Sequence, residues 1–198
     1  LQQVGATLNG STNLDRTNYW ENVPPNYLEL ALWLEADRMG FLLETLDEER
    51  FNIQREVVKN ERRQSYENRP YGMARGLIQA NLFPLPHPYH WWTIGSAEDL
   101  QAATVDDVKV FFRRFYGPSN GSLAIAGDFQ RDDAVRLVHR YFDGLSPSAP
   151  LSRMHRRDSG LYGGVSLKMY DRVQLSRVYL TWPTPPRFHT DDAPLTFA

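Results

Sequence analysis

Residues 5–39 read GATLNGSTNLDRTNYWENVPPNYLELALWLEADRM. Two short runs, 5–12 and 16–23, flank the turn residues Asn13-Leu14-Asp15, the pattern of a β-hairpin. Pro24-Pro25 then stops the sheet, because proline cannot donate to a ladder. Asn26 followed by Glu29 has the spacing of a capping box and predicts a helix over 27–39. Leu28, Leu30, Leu32, Trp33 and Leu34 leave little of that helix polar, so it is expected to pack deeply, and Gly40 is expected to end it.

The same alternation of helix signals and turns continues outward. Thr45 with Glu48 predicts a cap for a long charged helix from about 47 to 68, and Pro70 fits the first turn of a third helix over 70–83. The segment PLPHPYHWWTIG (84–95) reads as a loop, held open by its three prolines. Ser96 with Asp99 and Thr104 with Asp107 start two further helices. In the second of these Val108, Phe111, Phe112 and Phe115 recur at i, i+3, i+4 and i+7, a core stripe. A short apolar strand is expected in 121–127 and an amphipathic helix over 131–142, stopped by Gly144. Alternating strands follow at Val165, Leu167 and Met169 and at Val178, Leu180 and Trp182. The fold class expected is α+β: two layers, a mostly antiparallel sheet with helices packed on one face. Residues 1–145 read as one domain and 146–164, rich in Ser, Pro, Gly and Arg, as a linker; 165–198 read as the first strands of a second domain.

Composition narrows the function. The chain has 198 residues, 41% hydrophobic and 23% charged, the balance of a soluble globular protein. A formal charge of −2 favours neither nucleic acid nor an anionic membrane. The absence of cysteine excludes disulfides, thiolate metal sites and a Cys nucleophile. No run reaches the roughly 18 apolar residues of a membrane span, and LQQVGATLNG is not a signal peptide. These features fit cytoplasm or, in a bacterium, periplasm, without choosing a compartment. The chain begins without Met and stops as a helix starts, so it is expected to be part of a longer protein.

Within the long helix, QREVVKNE (54–61) holds the sharpest candidate. At 100° per residue, Gln54 and Glu61 lie within about 20° of one another, beside Val57 and Val58. A carboxylate on an apolar helix face has to be paired, protonated or metal-bound. Glu61 is therefore either the partner of a neighbouring arginine or a metal ligand. His87 and His90 are three apart, but Pro88 places them in a loop, and their aromatic neighbours favour a packed loop with His as polar filler. His139, His155 and His189 have no triad-like spacing. G-x-S-x-G does not occur, GLYGG (160–164) lacks a P-loop continuation, and RMHRRDSG (153–160) reads as a solvated linker. In GATLNGST, the small residues Gly5, Ala6, Gly10 and Ser11 leave the backbone accessible, and Asn9 carries a donor and an acceptor. Such a strand suits pairing with an extended peptide, although Gly10 also fits a mere bulge.

Taken in order, GATLNGSTNLDRTNY, LELALWLEADRM, FNIQREVVKNERR, NRPYG, HPYHWWTIGSAEDL, DVKVFFRRFYGPSNGSLAIAGDF and RYFDGL resemble the inverzincin zinc metallopeptidases, the family of pitrilysin, insulinase and the mitochondrial processing peptidase. The resemblance runs from Gly5 to Leu145 and continues more weakly through VQLSRVYLTWPTPP, similar to the opening of the family's next homologous domain. It implies a zinc metalloendopeptidase that cleaves extended peptides. In that family H-x-x-E-H supplies two His ligands and the general-base Glu, and a later Glu is the third ligand. That later position falls on Glu61. Gln54 occupies a position at which the family pattern carries a carboxylate supporting the metal. The strand Asn9-Gly10-Ser11-Thr12 corresponds to the family's substrate-pairing N-A-x-T strand, and Asp15 and Tyr19 to positions that buttress it. H-x-x-E-H is absent from these 198 residues, so no general base is assigned here. The chain alone is expected to be inactive and not to hold zinc. The resemblance also allows a non-catalytic, peptide-binding or scaffold subunit, and a homologous partner subunit or homodimer.

Overall fold

The computed structural model describes residues 1–152, 159 and 163–197. Its contacts divide the chain into two compact units, residues 1–57 with 97–154 and residues 58–96 with 155–198.

The first unit opens with the hairpin. Strands β1 (Thr7–Thr12) and β2 (Thr17–Asn22) pair antiparallel, with Leu8 opposite Glu21 and Gly10 opposite Tyr19. Asn13 builds the turn, its Oδ1 accepting from the N–H groups of Asp15 and Arg16 at 2.9 Å. Helix α1 (Leu28–Phe41) follows a short tight turn at Pro25–Tyr27. The Asn26 capping box does not form, because that turn places Tyr27 at the cap, without a side-chain bond. Gly40 does not stop α1; it lies inside the helix, where a Cβ would meet Leu145 Cδ2 at 2.6 Å. Only Ala31, Leu32 and Ala36 of α1 are buried, and Trp33 stays 46% exposed, so the helix is a half-covered layer rather than a deep one. Helices α5 (Val105–Phe115) and α6 (Arg131–Phe142) complete this unit together with the short α4 (Ala97–Ala102). Helix α6 is tied to α1 by Glu29, which accepts from Arg140 at 2.8 Å and from the Tyr141 hydroxyl at 2.7 Å. The Thr104–Asp107 capping box is present in both directions. Of the predicted α5 stripe, Phe112 is buried and Phe111 is exposed, so the stripe is covered along one edge only.

Helix α2 (Glu48–Arg62) starts from Asp47, whose carboxylate accepts from the Arg50 N–H at 2.8 Å. Thr45 instead turns its hydroxyl back to the Leu42 carbonyl, and the predicted Thr45 box is not made. The helix passes through the division between the units and ends in a wide turn at Arg63–Glu67, closed by Asn68 N–H to Arg63 C=O at 2.8 Å.

In the second unit, α3 (Ala74–Leu82) is shorter than predicted. The residues before it form turns, with Tyr71 in the left-handed region at φ 61°. Tyr71 is pinned there by distant residues: its N–H donates to Asp171 Oδ2 (2.8 Å), its hydroxyl to the Leu175 carbonyl (2.6 Å), and the Arg177 guanidinium lies 3.8 Å over its ring. Gly76 of α3 is buried beneath the Trp92 indole. Gln79 holds the 84–95 loop through its side-chain amide, donating to the Tyr89 and Trp91 carbonyls at 2.8 Å each. A last short helix, α7, spans Asp192–Thr196.

The one sheet among the described residues has two strands. The strands predicted in 121–127, 165–169 and 178–182 form no ladder there. An extended segment becomes a strand only when its N–H and C=O groups find a partner backbone. Val178 and Leu180 are 86% and 80% exposed, so these alternating segments have apolar patterning without a covered face.

Candidate functional site

The residues singled out in sequence fall on two elements. Asn9, Gly10, Ser11 and Thr12 lie on β1, all exposed, and β1 pairs with β2 alone among the described residues. Its second edge therefore carries backbone groups free of any ladder. Asn9 is less open than its chemistry suggests, since its Oδ1 accepts from the Gly10 N–H at 2.7 Å. Gly10 marks no bulge; the register runs through it without a slip. Its lack of a side chain makes room for the ring opposite, because a Cβ there would stand 3.3 Å from Tyr19 Cδ1.

Glu61 and Gln54 lie on α2 and both are exposed. The helix face on which they were placed by periodicity is not apolar and dry as expected, since Val57 is 52% exposed. The desolvation argument for Glu61 therefore does not apply, and water can solvate its carboxylate. Its neighbour Arg62 is fixed firmly. Nη1 donates to the Gly95 carbonyl at 2.8 Å, Nε lies 2.9 Å from Glu67 Oε1 as an ion pair without N–H alignment, and the guanidinium sits 5.7 Å from the Trp92 ring. Tyr66 packs on the same indole at 5.3 Å. The last turn of α2, which carries Glu61, is thus anchored through Arg62.

A catalytic zinc takes three protein ligands and a water. Among the described residues no group of three His, Cys, Asp or Glu side chains is gathered where it could hold a metal ion. Glu61 offers one carboxylate, so these residues do not make a zinc site by themselves. His87 and His90 serve the loop. His87 is buried, its Nδ1 accepts from the Tyr89 N–H at 3.0 Å, and its ring packs on Phe83 and Tyr89; His90 Nδ1 is 3.0 Å from the Phe83 carbonyl. His139 of α6 pairs with Asp143, just past the end of that helix, and His155 lies outside the described residues.

Sequence reading missed a polar cluster beneath the hairpin. The Tyr19 hydroxyl lies 3.3 Å from that of Tyr116, and the Arg38 guanidinium stacks 3.7 Å over the Tyr19 ring while pairing with Glu35. Burial, then the bond to Tyr116, pushes the Tyr19 phenol up to about 12. Burial also raises Glu21, and its hydrogen bond with Glu35 raises it further, to about 7. Burial pushes Glu35 up too, but the hydrogen bonds from Glu21 and Arg38 outweigh it and hold Glu35 below the usual carboxylate range. Glu35 and Arg38 at i, i+3 are visible as a helix pair in sequence, but nothing local joins them to Tyr19 and Glu21.

Comparison with known proteins now places the chain. The family model described as "Peptidase M16 inactive domain" matches residues 102–198. The "Zinc protease PqqE" of Helicobacter pylori is 32% identical over 98% of this chain and 44% of its own length. The "Probable mitochondrial-processing peptidase subunit beta, mitochondrial" of Arabidopsis thaliana is 24% identical over 86% of this chain and 32% of its own. A crystal structure of a protease from Helicobacter pylori superimposes with a TM-score of 0.71 at 32% identity, covering 76% of this chain and 36% of that one. The chain belongs to the M16 peptidase family, and it spans less than half the length of these relatives.

Proposed function

We propose that the chain is part of a zinc-dependent metalloendopeptidase that cleaves peptides held in extended conformation, and that the chain by itself is inactive. The observation that carries this is the free edge of β1: an exposed strand of small residues, paired on one side only, is a template for one more strand. Main-chain pairing of that kind recognises unfolded or loop segments and reads little sequence. Glu61 is proposed as one metal ligand of three, the other two and the general base coming from the H-x-x-E-H motif that this chain lacks. Residues 1–145 would then contribute the later part of one two-layer peptidase domain, its helices on one face of an antiparallel sheet, and 165–198 the start of the next. A homologous subunit or a second copy is the partner this reading allows.

Gln54 favours a second reading, a non-catalytic peptide-binding or scaffold subunit. A neutral amide stands where a supporting carboxylate is expected, and such supporting groups strengthen metal affinity about 10–100-fold. The two readings separate in the full-length protein. An intact H-x-x-E-H, with peptide hydrolysis that falls below detection in Glu61→Gln, supports the peptidase; a broken motif supports the scaffold. For the chain alone, stoichiometric zinc binding tighter than about 1 µM, a level needing roughly 8 kcal/mol, and its loss in Glu61→Ala would overturn the assignment of a single ligand.

A further inference from the structure

We propose that the Asn9 side chain is a removable cap on the outer edge of β1: it holds the central backbone donor of that edge, and a bound peptide has to displace it. The register shows which groups face outward. In an antiparallel pair, opposite residues alternate between exchanging their N–H and C=O groups and turning both away. The Asn13 N–H donates to the Arg16 carbonyl at 2.9 Å, so these two residues are a bonded pair. Counting back through the unbroken register, Ser11 with Asn18, Asn9 with Trp20 and Thr7 with Asn22 are bonded as well. The pairs between them, Thr12 with Thr17, Gly10 with Tyr19 and Leu8 with Glu21, turn their backbone groups off the ladder. The Thr12 and Thr17 hydroxyls, 3.1 Å apart, agree with this, since side chains stand closest at unbonded pairs. On β1 the outward donors are therefore the N–H groups of Leu8, Gly10 and Thr12.

These three donors are not equivalent. The Gly10 N–H already donates to Asn9 Oδ1 at 2.7 Å, whereas those of Leu8 and Thr12 meet no acceptor beyond the hairpin among the described residues. A side chain that bonds a neighbouring amide offers the backbone an alternative to a ladder and competes with it. Here the competition falls at the middle of the edge. A row of open donors about 6.8 Å apart is also a template for unwanted pairing, and natural proteins blunt such edges. Asn9 blunts this one with a group that can rotate away, which a proline cannot do.

Displacement exchanges one acceptor for another. A peptide carbonyl arriving at Gly10 takes the place of Oδ1, and the exposed carboxamide returns to water. The gain in pairing then comes from Leu8 and Thr12, so a peptide has to be long enough to reach both, about five extended residues. The inference rests on the reading of β1 as a peptide-binding strand. It adds that the edge binds more weakly than its bare backbone would, by about one hydrogen bond.

The test uses the full-length protein and, as probe, an acetylated and amidated hexapeptide of alternating threonine and valine. Residue-resolved amide exchange without peptide, corrected for intrinsic rates, reads the cap. In Asn9→Ala the Gly10 N–H is expected to exchange about fivefold faster, the factor to which a net hydrogen bond of about 1 kcal/mol converts, while Ser11 and Trp20 stay level. Hexapeptide titration reads the displacement. Asn9→Ala is expected to bind about fivefold more tightly than the unaltered protein, and Asn9→Asp more weakly, because an ionised oxygen holds the Gly10 N–H harder. Loss of a simple peptide contact, or damage to the strand, would weaken binding in both variants and overturn the proposal. Unchanged exchange at Gly10 in Asn9→Ala would overturn it too. Binding that neither substitution alters defeats the displacement alone, whereas no binding by any of the three proteins defeats the peptide reading of β1 and the displacement with it.

Discussion

Replacing Gly76 with alanine sets two effects of opposite sign against one another. Gly76 lies in α3, where alanine is favoured over glycine by at most about 1 kcal/mol. The added Cβ, however, would stand 1.1 Å from Trp92 Cζ2 and 1.4 Å from Cε2, positions no rotamer adjustment of a methyl can relieve. The indole has to leave. Overpacking of this kind costs about 1–3 kcal/mol. Losing the ring contact with Tyr66 adds about 0.5–1.5 kcal/mol. With about 3 kcal/mol lost and about 1 regained, the expected net destabilisation is about 2 kcal/mol. Urea unfolding reads this as a lower midpoint at unchanged slope. The same substitution in a Trp92→Ala background meets no ring and is expected to stabilise by up to about 1 kcal/mol, giving a coupling of about 3 kcal/mol across the cycle. Equal or greater stability of Gly76→Ala in the unaltered background would refute the reasoning. Because Arg62 leans on the same indole, the substitution is also expected to loosen the end of α2 at Glu61, seen as faster amide exchange at residues 58–62.

Gly10→Ala should be nearly silent: the new Cβ presses Tyr19 at 3.3 Å, but the backbone is ordinary strand, so denaturation should detect a change within about 0.5 kcal/mol, and a loss above about 2 would contradict the register. Gln54→Glu in the full-length protein is expected to raise zinc affinity about tenfold by competition titration, and no change would remove Gln54 from the metal's surroundings. Thr104→Ala should lower the melting temperature through loss of the α5 cap, worth about 1 kcal/mol. The hydroxyl and N–H of Thr104 hold Asp107 below its ordinary 3.8, so stability from that carboxylate is present above 3.8 and lost as pH falls through the lower folded value. Acid denaturation followed by circular dichroism should show this dependence flattened in Thr104→Ala.

What could be read from sequence was what neighbours in sequence decide. The hairpin, its Asn13 turn, the Thr104–Asp107 cap and the proline-rich loop all rest on residues within fifteen positions of one another, and each is found. The misreadings share a different origin. Gly40 looked like a stop, but the space it leaves is taken by Leu145, about a hundred residues later. The Asn26 box lost to the turn that Pro25 sets, and Thr45 lost to Asp47. The unformed strands carry the right alternation but lack partners among the described residues, and a ladder is a property of two segments rather than one. For the candidate site the divide is similar. Periodicity placed Gln54 and Glu61 on α2, yet their exposure depends on what covers that helix, which periodicity does not encode. The Glu21–Glu35 pair is visible only once β2 meets α1.

The clamp on Tyr71 sets an order of events on the ribosome. A tyrosine held at φ 61° sits in a conformation that is unfavourable by about 1–2 kcal/mol without support. Its supports, Asp171, Leu175 and Arg177, are made at least 100 residues later. At synthesis rates of about 5–20 residues per second, that is a wait of about 5–20 s. During that interval the turn before α3 has no reason to hold its final shape. The second unit can close only after residues 171–177 have left the exit tunnel, and in the first unit α1 waits as long for Arg140 and Tyr141 to reach Glu29.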